Sequence, residues 1–383
     1  MGVLRARALC ALALCGCAPK PLRFTDAATT EAAASADATR DAGDDREGAA
    51  VTDAALDAGV ERPDALAVDI ADAGDVLGDV VGTDVVASDV VGVVPTSCAS
   101  DPLRADCRTV AVDPTRSFCL GVDAAAWNAG WSASPSVCGL SLSPFTVDAQ
   151  EVSVARFRPF YERWTARTLA GALDVRFAGG VSFRAPLPPR TVLSEWNPSA
   201  IGCNWTDAPT AARDRHPINC VGWALAMYFC AWEGGHLLTS AQHEYLSRWH
   251  GAASADGRSY PWGESSADCS LVHYGLCAGE DGLRTRRVGS LPMGAVASVF
   301  DLAGNVADWV ADDFATYDLL EASGCWTSRR VDPLCAPTLV GTHYARGSSH
   351  MNPSELVLRT VFRPGGASGD ASASRGFRCA YLR

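Results

Sequence analysis

The sequence predicts an α+β fold with sparse regular structure and long irregular loops. Two segments, around 152–164 and 216–235, space their apolar residues as helices do, and a capping pattern opens a third helix at Thr239. Beyond Gly251 the chain is rich in Gly, Pro and Trp and offers only short strand-like pieces. No segment repeats in tandem. Strands do not alternate with helices as a doubly wound α/β sheet would require.

The elements follow in chain order. "LSLSPFTVDAQEVSVARFRPFYERW" (140–164) opens with strand-like alternation and turns helical near Val152, where Val154, Phe157, Phe160 and Tyr161 fall on one face. "HPINCVGWALAMYFCAWEGG" (216–235) reads as one helix with Trp223, Met227, Cys230 and Ala231 along a stripe, stopped by Gly234-Gly235. Thr239 and Gln242 have capping-box spacing, so the next helix carries "SAQHEYLSRW". "FDLAGNVADWVADDF" (300–314) sets Asp301, Asp308, Asp312 and Asp313 beside Trp309 and a Gly-Asn turn. Its "VADWVADDF" is a short strand in which Trp309 packs and Asp312 and Asp313 face solvent. "SRGFRCAYLR" closes the chain as a strand.

The start of the chain has a different composition. "MGVLRARALCALALCGC" (1–17) has the basic residues, short apolar run and small residues of an export signal. The run is too short to span a bilayer permanently. Leu14-Cys15-Gly16-Cys17 resembles a bacterial lipobox, which implies that Cys17 is lipidated. Residues 18–97 are an Ala/Asp/Val-rich tether with 17 acids against 5 bases, a net of −12 that equals the charge of the whole chain. Such a segment buries too little apolar surface to fold, and as a coil it reaches on the order of 50 Å. The acidity therefore belongs to the tether, and nothing is basic enough to make nucleic acid a partner.

Twelve of the 15 cysteines lie beyond the tether, at 98, 107, 119, 138, 203, 220, 230, 269, 277, 325, 335 and 379. An even number in an exported chain predicts disulfides, and no CxxC points to a zinc ribbon. Short spacing permits, without demanding, the pairs Cys203–Cys220, Cys269–Cys277 and Cys325–Cys335. The folded part is a Cys-containing extension (98–139) followed by the main domain (140–383). None of the seven histidines forms a HxxxH or HExxH helix, and no GxSxG elbow or phosphate-binding Gly loop is present.

Five motifs in order, "HPINCVGWALAMYFCAWEGGHLLTSAQHEYLSRWHG", "YPWGE", "VGSLPMGAVASVFDLAGNVADWV", "ARGSSH" and "RGFRCA", resemble the formylglycine-generating enzyme (sulfatase-modifying factor) family. The resemblance covers about 140–382 and implies a variant of the C-type-lectin fold. It implies a disulfide between Cys230 and Cys379. It also implies a structural calcium ion held by the side chains of Asp301 and Asp308 and the backbone oxygens of Gly304 and Val306, a hard-oxygen set suited to that ion. His236 and His243 stand where the family usually has Arg and Trp, and read as surface or satisfied core residues.

Active members of the family bind copper through two cysteines five positions apart. Here those positions are Asn352 and Val357, within "RGSSHMNPSELVL". An amide and an isopropyl group cannot replace two soft thiolates, so copper is not expected. Arg346, Ser349, His350 and Asn352 fall where the family has its cleft, with His350 at an aromatic position. The expectation is an exported lipoprotein anchored in the outer membrane or at the cell surface, with the periplasm as alternative. Its domain would bind a peptide, protein or small-molecule ligand, or serve as a scaffold. Whether it is an enzyme stays open. The alternatives are a copper-free enzyme, like relatives in siderophore maturation or sulfoxide chemistry, and a formylglycine-generating oxidase.

Overall fold

The computed structural model describes residues 107–121, 137–252, 257–315, 325–363 and 371–383. The export signal, the tether and Cys17 lie outside the described residues, as does Cys98. In chain order the strands are β1 (Thr109–Val112), β2 (Phe118–Leu120), β3 (Val137–Leu140), β4 (Phe145–Asp148), β5 (Ala172–Arg176), β6 (Ser182–Pro186), β7 (His236–Leu237), β8 (Ala307–Asp313), β9 (His343–Arg346), β10 (Arg375–Gly376) and β11 (Cys379–Leu382). The helices are α1 (Val154–Thr165), α2 (Ala211–Asp214), α3 (Trp223–Trp232), α4 (Ser240–Glu244) and α5 (Cys325–Ser328). This is the sparse mixture of helix and sheet that the sequence predicts. Among the described residues no helix is long and apolar enough to cross a membrane.

Two sheets matter for the site. The first runs β1-β4-β11-β7, with antiparallel neighbours throughout. The second runs β10-β8-β9, in which β8 pairs antiparallel with β9 and parallel with β10. The closing segment of the chain therefore contributes to both. It is split into two short strands rather than the single strand expected, because Phe377 and Arg378 between them turn fully into the core.

Helix α1 starts where the Ser153 side chain accepts a hydrogen bond from the Arg156 backbone N–H. Its Phe157 and Phe160 meet Phe229 of α3 at ring-centroid distances of 5.4 and 5.3 Å. Helix α3 is apolar nearly all round, as a helix enclosed by core should be. It is shorter than the 20 residues expected. His216–Val221 form an extended segment instead, bridging through Pro217 to Ser153 and through Val221 to Trp196. The apolar residues there fill the core without helical geometry, and Cys220 has φ 60°. At α4 the capping box forms as its spacing predicts: Thr239 Oγ1 accepts from Gln242 N, and Gln242 Oε1 accepts from Thr239 N. The helix then widens into a π turn over Tyr245–Trp249.

Disulfides join Cys119–Cys138, Cys203–Cys220, Cys230–Cys379, Cys269–Cys277 and Cys325–Cys335. Cys107 is also disulfide-bonded. The Cys230–Cys379 bridge ties α3 to β11 across 149 residues of sequence.

Candidate functional site

A cleft of about 330 Å³ opens over the β10-β8-β9 sheet. Ala307, Ala345 and Tyr344 contribute from β8 and β9, Arg375 from β10, and Phe362 and Ser374 from flanking loops. The turn after β9 supplies Ser348, Ser349, Met351 and Asn352. Two residues make that turn sharp. Gly347 has φ 87°, and a Cβ there would lie 2.7 Å from the Leu302 carbonyl oxygen. Ser348 adopts φ 61°, a backbone conformation uncommon for a residue with a side chain. The cleft is therefore small-floored, partly aromatic and rich in hydroxyls, with one guanidinium. The carbon of that guanidinium, in Arg375, lies 4.7 Å from the centre of the Trp309 ring. Trp309 is fully buried and donates its indole N–H to the Val221 carbonyl at 2.8 Å, so the platform under the charge is fixed.

Ser349 Oγ accepts from Met351 N, and Ser374 Oγ pairs with Ser372 Oγ. Among the described residues neither a histidine nor a carboxylate is hydrogen-bonded to the cleft serines, so no nucleophile–base pair is assembled there. All eleven described cysteines are in disulfides, so none is available as a thiolate. Asn352 lines the cleft, with its Oδ1 accepting from Ser354 N. Val357 is buried in a short 3₁₀ turn, Glu355–Leu358. The residues at the family's copper positions do not fit copper.

Beneath the cleft the 300–308 loop encloses a cluster of acids. Asp301, Gly304 and Asn305 all have left-handed backbones, with φ of 52°, 82° and 52°. At Gly304 a side chain would run into the His273 carbonyl oxygen. Glu151 takes a hydrogen bond from Val306 N on one oxygen and from Asn305 Nδ2 on the other. Asp301 Oδ2 accepts from Gly289 N. Asp308 Oδ2 accepts from Arg378 Nε at 2.6 Å, while its Oδ1 is buried without a partner. The same Arg378 donates to the carbonyls of Phe300 and Asp301 at 2.8 and 2.9 Å. Three buried carboxylates thus face one guanidinium. Burial pushes all three upward, Asp301 to about 6 and Glu151 well above the usual carboxylate range with Asp301 and Asp308 adding repulsion, while Arg378 opposes the shift at each of them. The excess negative charge and the unpartnered Asp308 oxygen fit a hard cation, although Arg378 already supplies one positive charge at this carboxylate. Among the described residues no group of three or more His, Cys, Asp or Glu side chains is placed to hold a metal. The calcium set expected from the sequence draws on two carboxylates and two backbone oxygens.

The remaining sequence-predicted residues divide. Ser349 and Asn352 line the cleft. His350 sits between cleft residues but is itself buried, with Nδ1 2.8 Å from the Asn305 carbonyl oxygen. Arg346 is not among the residues lining the cleft. It is fully buried and held by Glu244 Oε2 at 2.6 Å, Thr360 O and Ser240 Oγ. Asp312, expected in solvent, is fully buried and accepts from Ser240 N at the start of α4 and from Cys335 N. His236 and His243 are core residues. Sequence reasoning passed over Arg375, Tyr344, Phe362 and Glu151. The one available signal is Arg375, which lies inside the motif RGFRCA and pairs in register with Ala307 of β8.

The chain is 29% identical over 170 residues to the inactive C-alpha-formylglycine-generating enzyme 2 of Bos taurus, a stretch that is 43% of this chain. The chain spans about half the length of that relative, 50%. Among solved structures it resembles PvdO from Pseudomonas aeruginosa, at 21% identity and a TM-score of 0.46, covering 71% of this chain and 93% of that one. It also resembles Treponema denticola variable protein 1, at 15% identity and a TM-score of 0.46, covering 72% and 95%. Residues 121–382 match the family profile of the sulfatase-modifying factor enzyme 1-like domain. With the five motifs falling inside that span, the chain belongs to the sulfatase-modifying factor family.

Proposed function

We propose that this chain is an exported lipoprotein, anchored through Cys17 at the outer membrane or cell surface. In this reading its sulfatase-modifying-factor domain binds a peptide, protein or small-molecule ligand and carries out no copper-dependent oxidation. The observation that carries the reading is the pair Asn352 and Val357. One is an amide on the cleft wall and the other an apolar side chain packed in a turn. Neither offers the soft donor that Cu(I) takes, and the cysteines described are bridged. The relative marked inactive in its name is in keeping with a family that retains its fold where oxidation is lost. A structural calcium ion in the 300–308 loop belongs to the same proposal. It would be held by Asp301 and Asp308 with the backbone oxygens of Gly304 and Val306, and it would add positive charge among the three carboxylates.

The test uses a sulfatase-derived cysteine peptide, copper-loaded protein and oxygen. Conversion is read by mass change and by trapping of the aldehyde. No conversion above the protein-free background is expected. Turnover that disappears in the Asn352→Ala, His350→Ala double variant would overturn the reading and restore an oxidase. For the anchor, Cys17→Ala is expected to leave the membrane fraction. Full retention there at unchanged mobility would sink that part.

A further inference from the structure

We propose that His273 and His350 form a two-imidazole site for a transition-metal ion of the zinc, nickel and copper class, with its other positions left to water. The site uses neither the family's cysteine positions nor the acid cluster, and it does not depend on the cleft's ligand. His273 is 1% exposed and His350 7%. His273 Nε2 lies 2.7 Å from the Arg284 carbonyl oxygen, and His350 Nδ1 lies 2.8 Å from the Asn305 carbonyl oxygen. A carbonyl can only accept, so those nitrogens carry the protons. The opposite nitrogens, His273 Nδ1 and His350 Nε2, are therefore bare lone pairs. Both are buried and neither has a hydrogen-bond partner.

Two neighbouring buried lone pairs without a donor are costly, at about 1–3 kcal/mol for each unsatisfied group. Protonation does not relieve them, because burial lowers the pKa of both rings, and a charged His273 would further disfavour a charged His350. What remains is a metal ion or a water that donates to both. A ring whose far N–H is held by a backbone carbonyl is the arrangement metal-binding histidines use, since it fixes the tautomer and aims the lone pair. Imidazole suits zinc, copper and nickel.

The spacing is in range. The ring centroids are 6.3 Å apart and the ring planes differ by 8°. With metal–nitrogen bonds of about 2.0–2.1 Å, two imidazoles on one ion place their centroids about 5 Å apart at a tetrahedral angle and about 6 Å apart when opposed, so these near-parallel rings fit the opposed arrangement and not the tetrahedral one. The backbone of Asn305 couples the two residues. Its N–H donates to the His273 carbonyl at 2.7 Å, and its carbonyl takes both the ring and backbone N–H groups of His350. Nearby charge is mixed: Arg284 faces His350, and Arg286, Glu280 and His216 face His273. The arginines oppose a dication, so affinity should be moderate.

The experiment titrates untagged full-length chain with zinc, nickel and copper(II) in turn against a competing chromophoric chelator. One site per chain is expected for at least one of the metals. His273→Gln and His350→Gln should each weaken it about tenfold or more, whereas His250→Gln should not. Crystals of the wild type soaked in that metal, measured at its absorption edge, should give an anomalous peak bonded to His273 Nδ1 and His350 Nε2. Binding by none of the three metals, binding unchanged in both glutamine variants, or a water alone between the rings would overturn the proposal. The anomalous measurement decides even if a variant fails to fold.

Discussion

Replacing Arg378 by methionine isolates the most concentrated electrostatic feature of the fold. The side chain is fully buried and makes three hydrogen bonds, to Asp308 Oδ2 at 2.6 Å, Phe300 O at 2.8 Å and Asp301 O at 2.9 Å. Arg378→Met fills the same volume but strands the Asp308 carboxylate, with Glu151 and Asp301 beside it. Breaking a buried pair by removing one partner costs about 3–5 kcal/mol. At an m value of about 3 kcal/mol/M this lowers the urea midpoint by roughly 1–2 M. Tryptophan fluorescence at pH 7.5 reads it, because Trp309 is buried in the neighbouring strand. Adding Asp308→Asn to the variant should restore much of the loss, since the stranded charge is then gone. A loss below about 1 kcal/mol for Arg378→Met, or a double variant no more stable than the single one, would refute the argument that stranded charge governs the cluster.

Three further outcomes are expected. Asp312 is raised to about 7 by burial, against an ordinary value of about 3.9. Its stabilising contribution is therefore fully present below about pH 4 and is lost as pH rises through 7. It is on the order of 4 kcal/mol. Asp312→Asn should flatten the pH dependence of the urea midpoint over that window, and an unchanged slope would show that the backbone N–H groups of Ser240 and Cys335 keep the carboxylate ionised. The Cys230→Ala, Cys379→Ala variant should lose about 5 kcal/mol on chain-entropy grounds for a loop of 149 residues, and recovery of either cysteine as a free thiol in non-reducing peptide maps of the wild type would count against the bridge. Calcium at a hundredfold excess over its dissociation constant should stabilise the wild type by about 2.7 kcal/mol but not Asp301→Ala. Identical melting midpoints with calcium and with chelator would leave Asp301 and Asp308 as turn and ion-pair residues only.

What could be read from the sequence was what is settled within a few residues. The α4 start was legible because Thr239 and Gln242 satisfy each other's backbone across one turn. The fate of Asp312 was not, because its partners come from Ser240 and Cys335, 72 and 23 residues away. Arg346 fell at a cleft position by motif, yet its charge is taken by Glu244, 102 residues distant. The 216–222 segment has a helix-compatible apolar pattern. Its backbone bonds go instead to neighbours such as Val152, whose carbonyl accepts from Ile218 N. Cleft residues Arg375 and Ala307 meet through a parallel pairing that no local pattern announces.

The position of β11 sets an order of events in time. It lies between β4 and β7, inside the first sheet, while β10 just before it completes the second. Between them Arg378 closes the acid cluster and Cys379 closes the bridge to Cys230. A chain made from its N-terminus can form the β5–β6 ribbon early, since that ribbon joins segments near in sequence. Neither main sheet can be completed until the residues from 375 onward arrive. Assembly of both sheets thus waits for residues 375–382, with β4 and β7 left open to wrong partners meanwhile. Deleting residues 374–383 would remove an inner strand, a disulfide half and the buried Arg378 together. Loss of that short segment should therefore leave an unfolded chain rather than a slightly smaller domain.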